Sequence, residues 1–154
     1  MRARDLAEPH PFATTDDNAA DAARMLAEQS LPAVLVLDSD GRPNAIVPGY
    51  QLIRQLVPDY IAEDRLLAGV AGERHDGELA ERLVALSVAE WVPCHLHPVP
   101  VLGPDAHPME IAALMARARS PLVAVIERDG TRVTLLGTVT SARLMQHFLT
   151  SSPS

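Results

Sequence analysis

The sequence has no lysine and a single cysteine, and aromatic residues make up only 3% of its 154 positions. Because Cys94 has no second cysteine to pair with, an intrachain disulfide is excluded, and a reducing cytoplasm is the expected compartment. With so few aromatics, the core must be built from aliphatic residues and methionine. The 13 cationic residues are all arginine and face 20 acidic residues, which gives a net charge of −7. This balance provides no basic surface for nucleic acid, so no nucleic-acid partner is expected.

Long hydrophobic runs are also missing. The longest strongly apolar run, from Ala33 to Leu37, is too short to cross a bilayer. The opening residues lack the apolar stretch of a signal peptide, so we expect neither export nor membrane insertion. With 47% hydrophobic and 21% charged residues, the chain has the composition of a globular protein. Its length allows one ordinary domain or two small units that share a core.

The chain contains an internal repeat. Residues 21–41 align without gaps with residues 110–130, and the alignment resumes after a three-residue insertion in the second copy. Insertions of this kind are tolerated in hairpin turns. A repeat of this length predicts two copies of one supersecondary unit. Equivalent positions include Pro32 and Pro121, Gly41 and Gly130, and Val47 and Val139.

Each copy is predicted to fold as helix, strand, strand and helix. Helical spacing of apolar residues precedes each proline, an aliphatic run typical of a buried strand follows it, and an Asp-Gly pair predicts a hairpin turn. In the first copy, the predicted elements are a helix over 19–30, strands over 33–37 and 44–47, and a helix over 50–57. In the second copy, a helix begins near Pro108, strands cover 122–126 and 133–139, and a helix covers 141–149. We expect the closing helices to bury Leu52, Ile53 and Leu56, and Leu144, Met145 and Phe148.

The segment between the copies, residues 58–87, is predicted to contain two amphipathic helices. These run from Asp59 to Ala68 and from Glu78 to Leu86, and a polar, glycine-rich loop from Gly69 to Gly77 separates them. The helices are interpreted as a cover for the flank of the two copies. A docking surface for a partner protein is the alternative.

The second copy resembles a cystathionine-β-synthase (CBS) domain. The resemblance rests on the helix, the proline-led strand, the Asp-Gly turn and the sequence Leu-Gly-Thr-Val-Thr-Ser-Ala-Arg-Leu over residues 136–144. The segments Ala3–Leu6 and Val88–Trp91 also resemble the short lead-in that opens each CBS motif. Together the two copies resemble the tandem CBS pair known as a Bateman module.

This resemblance implies an α/β fold in which two CBS-type repeats pack about a pseudo-twofold axis. Extra helices lie in the segment between the repeats. The implied organisation is a first repeat over 1–57, a helical segment over 58–87, a second repeat over 88–150 and a disordered tail over 151–154. The resemblance also implies a homodimer.

The resemblance further implies a ligand site in the cleft of the second repeat. CBS domains that bind adenosine-type ligands carry a Gly-x-x-Thr/Ser-x-x-Asp motif, and Gly137, Thr140 and Arg143 stand at its three positions. The implied ligands are AMP, ADP, ATP or S-adenosylmethionine as regulatory molecules, and no cofactor is required. The implied ligand-binding residues are Thr140, Ser141, Arg143, Val139 and Pro121.

Arg143 is a departure from the family motif, which has an aspartate there for the ribose hydroxyls. A guanidinium has five donors and no acceptor, so it cannot hold a ribose diol as a carboxylate would. In the first helical turn, the helix dipole opposes a cation by about 0.3–1 kcal/mol. A phosphate, a carboxylate or solvation must offset that cost. The first copy departs further, with Ala45, Pro48 and Gln51 at the motif positions, so at most the second cleft is equipped.

The chain shows no catalytic constellation, and we expect it not to be an enzyme. The leading hypothesis is a regulatory module that senses an adenosine-containing ligand and modulates a separate, unidentified protein. The ligand would act by a population shift between two arrangements of the halves. The alternative is a ligand-free dimeric interaction or scaffolding module. A third hypothesis, zinc held by Cys94, His95 and His97, rests on a weak His-x-His signal, so no metal site is predicted.

Overall fold

The computed structural model describes residues 1–56, 65–91 and 99–151. Its helices and strands follow an order along the chain that repeats from residue 88. The elements are α1 (Ala3–Leu6), β1 (Phe12–Thr14), α2 (Ala19–Glu28), β2 (Ala33–Leu37), β3 (Pro43–Pro48), α3 (Gly49–Leu56), α4 (Arg65–Ala85), α5 (Val88–Trp91), β4 (Val101–Leu102), α6 (Pro108–Ala118), β5 (Leu122–Asp129), β6 (Arg132–Thr140) and α7 (Ser141–Thr150).

Each repeat forms a three-stranded sheet with the same topology. β1 pairs parallel with β2, and β2 pairs antiparallel with β3; β4, β5 and β6 are arranged in the same way. The register is also repeated, since Phe12 lies opposite Leu35 and the equivalent Val101 lies opposite Ala124. The predicted α/β fold of two repeats is confirmed.

The central strands are buried on both faces, as their aliphatic sequences predicted. Alternate residues of a strand point to opposite faces. Val34 and Val36 of β2 therefore pack with the helices of the first repeat, and Val123 and Val125 of β5 pack with those of the second. The other faces of the two sheets meet in a shared cluster, whose buried members are Ala33, Leu35, Leu37, Ile46, Val99, Leu122 and Ala124.

The two short lead-in helices each pack against the opposite repeat. Leu6 of α1 is fully buried with Ile111 and Val139 of the second repeat. Val88 of α5 is fully buried with Ala19 and Val47 of the first repeat. The repeats therefore exchange their opening segments, which ties the two halves together. The boundaries at residues 57 and 87 stay predictions.

The segment between the repeats differs from its prediction. From Arg65 to Ala85 it forms one continuous helix, α4, so the loop predicted from Gly69 to Gly77 is wrong. A glycine inside a helix costs about 1 kcal/mol relative to alanine but does not break the helix as proline would. No proline lies between these residues. The start of the first predicted helix, residues 59–64, lies outside the described residues.

The closing helices bury fewer residues than predicted. Leu144 is buried, but Ile53 is 62% exposed, Met145 is 59% exposed and Phe148 is 39% exposed. A single layer of sheet covers only one narrow stripe of each helix, so the rest of the apolar face stays open in one chain. The structure describes the backbone of Leu52 and Leu56 but not their side chains. Residues 152–154 of the predicted tail lie outside the described residues.

Candidate functional site

The candidate site lies where β6 ends and α7 begins. Thr140 is the N-cap of α7, and its Oγ1 accepts a hydrogen bond from the Arg143 backbone N–H at 3.2 Å. The backbone N–H of Ser141 donates to the Pro121 carbonyl at 3.1 Å. Two of the N–H groups at this helix N-terminus therefore already have partners within the protein. The hydroxyl of Thr140 acts here as a helix cap.

The structure brings the predicted site residues together around this helix start. Pro121 stands immediately before β5, next to Ser141, while Thr140, Ser141 and Arg143 are half-buried. Val139 is different, because its side chain is fully buried in the core of the second repeat with Leu6 and Leu144. Only the backbone of Val139 lies next to the helix start.

Arg143 meets a carboxylate that lies far away in the sequence. Its Nε lies 3.3 Å from Oε1 of Glu8, and the exposed fractions of the two side chains are 27% and 60%. The geometry does not make this a hydrogen bond: the Arg143 Nε is buried and has no hydrogen-bond partner among the described residues. Glu8 thus supplies a negative charge that offsets the unfavourable interaction of the Arg143 cation with the dipole of α7. The buried N–H of the guanidinium remains unsatisfied.

Glu8 is held in place by its own backbone. Its N–H donates to the Thr138 carbonyl, and the Thr138 N–H donates back to the Glu8 carbonyl, both at 2.9 Å. This close approach explains the glycine of the motif. A Cβ on Gly137 would lie 2.7 Å from the Glu8 carbonyl oxygen, closer than real Cβ contacts allow. The motif glycine therefore makes room for the opening segment of the chain.

His10 lies two residues further along the same segment, beside the start of β2. Its Nε2 is 3.4 Å from the Ala33 carbonyl oxygen. Burial lowers the pKa of His10 below its ordinary value, while the hydrogen bond to Ala33 acts in the opposite direction. The segment from Glu8 to His10 therefore runs from the motif of the second repeat to the central strand of the first. Sequence reasoning missed both residues, because neither lies near the motif in the chain.

The equivalent position in the first repeat has a different chemistry. Pro48 ends β3 opposite Ala33, and α3 begins at Gly49. Ala45 is buried in the first core, and Gln51 is half-buried. The motif positions of this repeat offer no hydroxyl group at the helix start.

The candidate zinc ligands cannot be placed. Cys94, His95 and His97 lie outside the described residues. Across residues 1–56, 65–91 and 99–151, no cluster of three or more histidine, cysteine or acidic side chains could hold a metal ion. Within the same residues, no helix is both long and apolar enough to span a membrane.

Comparison with known proteins gives matches among solved structures. No protein-family model matches the sequence, and no curated protein matches it. A CBS domain-containing protein of unknown function from Kribbella flavida is 34% identical, with a TM-score of 0.82 over 96% of this chain and 99% of that chain. The CBS domain of a CBS domain-containing membrane protein from Sphaerobacter thermophilus is 23% identical, with a TM-score of 0.69 over 95% and 86%. CBSX2 in complex with AMP is 17% identical, with a TM-score of 0.64 over 97% and 96%.

Proposed function

The chain belongs to the CBS-domain family, and from this premise we propose that it is a non-enzymatic regulatory module that binds an adenosine-containing ligand. The resemblance in the sequence is thereby confirmed at the level of the family. The proposed ligand is AMP, ADP, ATP or S-adenosylmethionine. The proposed target of regulation is a separate protein.

The observation that carries this proposal is the buried Nε of Arg143, which has no hydrogen-bond partner among the described residues. A buried N–H without a hydrogen-bond partner costs about 1–3 kcal/mol, so it favours any ligand that supplies an acceptor. Arg143 stands in the first turn of α7, where the helix dipole favours an anion. A phosphate oxygen would accept a hydrogen bond from the Arg143 Nε. The guanidinium and the dipole of α7 would both stabilise its negative charge. Thr140 and Ser141 add hydroxyl groups beside it.

A further support comes from a protein with the same fold. CBSX2 has been solved in complex with AMP, and its fold matches this chain over nearly its full length. At 17% identity, the likeness is one of fold, so the ligand is part of our proposal for this chain. Arg143 favours the phosphorylated members of the ligand class over S-adenosylmethionine, because a guanidinium pairs well with phosphate and is repelled by a sulfonium cation.

The proposed mechanism is competition for Arg143 between the ligand and Glu8. In the structure Arg143 faces the Glu8 carboxylate. A phosphate would displace that carboxylate, and Glu8 belongs to the segment that connects α1 on the second repeat with β1 in the first. Ligand binding would therefore change the position of this segment and the population of arrangements of the two repeats.

A thermal-shift panel tests the proposal. AMP, ADP, ATP, S-adenosylmethionine and adenosine are added to the wild type, to Arg143→Ala and to the matched control Arg117→Ala, an exposed arginine on α6. A ligand at about one hundred times its Kd adds about 2.7 kcal/mol to the free energy of unfolding. For a domain of this size, that raises Tm by roughly 5–10 °C. We expect the shift for phosphorylated ligands to disappear only in Arg143→Ala. A flat panel at millimolar ligand would reject the proposal for these compounds.

We also propose a homodimer that uses the apolar sides of α3 and α7. Each closing helix carries large apolar side chains that the single chain leaves exposed, and isolated proteins rarely leave such sets uncovered. The residues are Tyr50, Ile53, Met145, Phe148 and Leu149. Sedimentation analysis should give a dimer mass for the wild type and a monomer mass for Ile53→Asp or Met145→Asp. The control Val84→Asp changes an exposed apolar residue of α4 and should leave the dimer intact.

A ligand-free dimeric interaction module is the second candidate. It is favoured by the Glu8 carboxylate, which already faces Arg143, and by the capping role of Thr140. In that case the apolar faces of α3 and α7 would be the functional surfaces. A dimer mass together with a flat ligand panel would support this candidate over the first.

A further inference from the structure

The tips of the two β-hairpins touch each other. Arg42 immediately precedes β3 in the first hairpin, and Thr131 lies in the turn between β5 and β6. The Arg42 Nη2 donates a hydrogen bond to the Thr131 carbonyl at 2.5 Å. The contact therefore joins the two repeats at the tips of their hairpins.

A cleft of about 430 Å³ lies beside this contact. Its volume falls within the range of small-molecule sites, about 300–1,000 Å³. Residues from both repeats line it, so it belongs to the pair and to neither repeat alone. About half of its surface is apolar, and the apolar residues that line it are Pro43, Val99, Val101, Ile126 and Val133.

Both charged side chains that line the cleft are cations, Arg42 and Arg128. This is unexpected in a chain with 20 acidic residues and 13 arginines. Thr131 adds a hydroxyl group to the same lining. Two guanidinium groups beside an aliphatic surface, without a carboxylate in the lining, form a site whose field attracts anions.

The nearby carboxylates do not neutralise these cations. Within the part of the chain that the structure describes, no acidic side chain lies within ion-pair distance of Arg42 or Arg128. Asp38 accepts hydrogen bonds at 2.9 Å from the backbone N–H groups of Asp40 and Arg42. Glu127 and Asp129 flank Arg128 in β5, but strand alternation directs them to the opposite face. Asp40 lines a neighbouring cleft, whose lining also includes Arg42 and Arg132.

We propose that this cleft binds a small organic oxyanion, a carboxylate or phosphate ester with an apolar body. The guanidinium fork matches the geometry of carboxylate and phosphate oxygens, and the pairing strengthens at an apolar wall, where the local dielectric is low. The apolar body would cover Val101 and Val133. Since Arg42 belongs to the first repeat and Arg128 to the second, the ligand would bridge the two halves. This site is separate from Arg143 and does not depend on the proposed adenosyl ligand.

Titration calorimetry and amide NMR shifts with four probes test the site. Phenyl phosphate and benzoate carry an oxyanion and an apolar body, inorganic phosphate carries the anion alone, and benzyl alcohol carries the body alone. The variants are Arg42→Gln and Arg128→Gln, with Arg117→Gln and Arg143→Gln as controls. Arg128→Gln keeps the proposal testable if Arg42→Gln disturbs the fold, because the Arg128 side chain makes no hydrogen bond or ion pair with the described residues.

We expect phenyl phosphate or benzoate to bind more tightly than inorganic phosphate, and benzyl alcohol not to bind. Loss of one charged hydrogen-bonding partner should weaken binding about tenfold or more in Arg42→Gln and in Arg128→Gln. Arg117→Gln should bind as the wild type does. Arg143→Gln should keep the amide shifts of the cleft residues, because an anion at Arg143 would shift the amides of α7 instead. Absence of binding by both organic anions at millimolar concentration would overturn the proposal, as would binding that survives Arg128→Gln. If binding is lost only in Arg143→Gln, the anion site is the one at α7 and this proposal is wrong.

Discussion

The Nε of Arg143 lies 3.3 Å from Oε1 of Glu8, although the two residues come from opposite ends of the chain. The contact joins the opening segment to the helix that closes the second repeat. It places a carboxylate where a regulatory ligand of the proposed class would place a phosphate. The structure therefore shows a carboxylate of the chain at the position that we propose for the ligand's phosphate.

Removing the Glu8 charge should release Arg143 for a ligand. We expect Glu8→Gln to raise the affinity for AMP about two- to fivefold, because the phosphate no longer competes with a carboxylate. Both partners are partly exposed, so the free energy of unfolding should change by less than about 1 kcal/mol. Calorimetric titration and urea unfolding measure the two effects. Glu28→Gln, an exposed glutamate at the end of α2, is the matched control, and an unchanged affinity in Glu8→Gln would contradict the competition.

Gly137 should tolerate no side chain. In Gly137→Ala the new Cβ would lie 2.7 Å from the Glu8 carbonyl oxygen, and the paired hydrogen bonds between Glu8 and Thr138 would have to shift. We expect a loss of about 1–3 kcal/mol in the free energy of unfolding, as in other overpacked sites. Gly103→Ala is the control, because its Cβ would meet open space. Equal stability of the two variants in urea would contradict the close approach.

The exchange of lead-in helices predicts that a mutation in one repeat loosens the other. Leu6→Ala should cost about 2–4 kcal/mol, because it opens a cavity in the core of the second repeat. Amide hydrogen exchange should therefore rise in α6 and β5 more than in α2 and β2. Val88→Ala is the mirror experiment and should raise exchange in α2 and β2. If Leu6→Ala affects the first repeat more, the exchanged packing is wrong.

His10 should make the protein less stable in mild acid. Burial lowers the pKa of His10 in the folded state. As the pH falls through the unfolded-state value of about 6.5, the unfolded chain takes up a proton that the folded chain does not, and stability is lost. Above that pH, the contribution of the neutral His10 to the free energy of unfolding is fully present. Urea unfolding between pH 5 and 8 should show a smaller acid loss in His10→Gln than in the wild type.

The comparison above pH 7.5 is the internal control for His10, since both states then carry a neutral imidazole. There the difference in stability between wild type and His10→Gln should be constant. An identical pH slope for the two proteins would show that the His10 proton does not couple to folding.

Much of the fold could be predicted from local sequence patterns. The aliphatic run from Ala33 to Leu37 is a strand with those bounds, and Gly41 and Gly130 have positive φ in their hairpin turns. These features depend on short-range chemistry, because burial periodicity and turn conformation are read from neighbouring residues. The segment Gly69–Gly77 shows the limit. Its glycines suggested a loop, but a helix tolerates glycine when no proline interrupts it.

The candidate site could be predicted only in part. The sequence alone determined the repeat, the α/β architecture, the position of the motif at Thr140 and the presence of Arg143 in the first turn of α7, since each depends on residues close together in the chain. Only the tertiary structure decided that Glu8 faces Arg143, that each lead-in helix packs on the opposite repeat and that Arg42 and Arg128 line one cleft. These contacts join residues that are distant in the sequence. They arise from burial of the two sheet faces against each other, which local patterns do not encode.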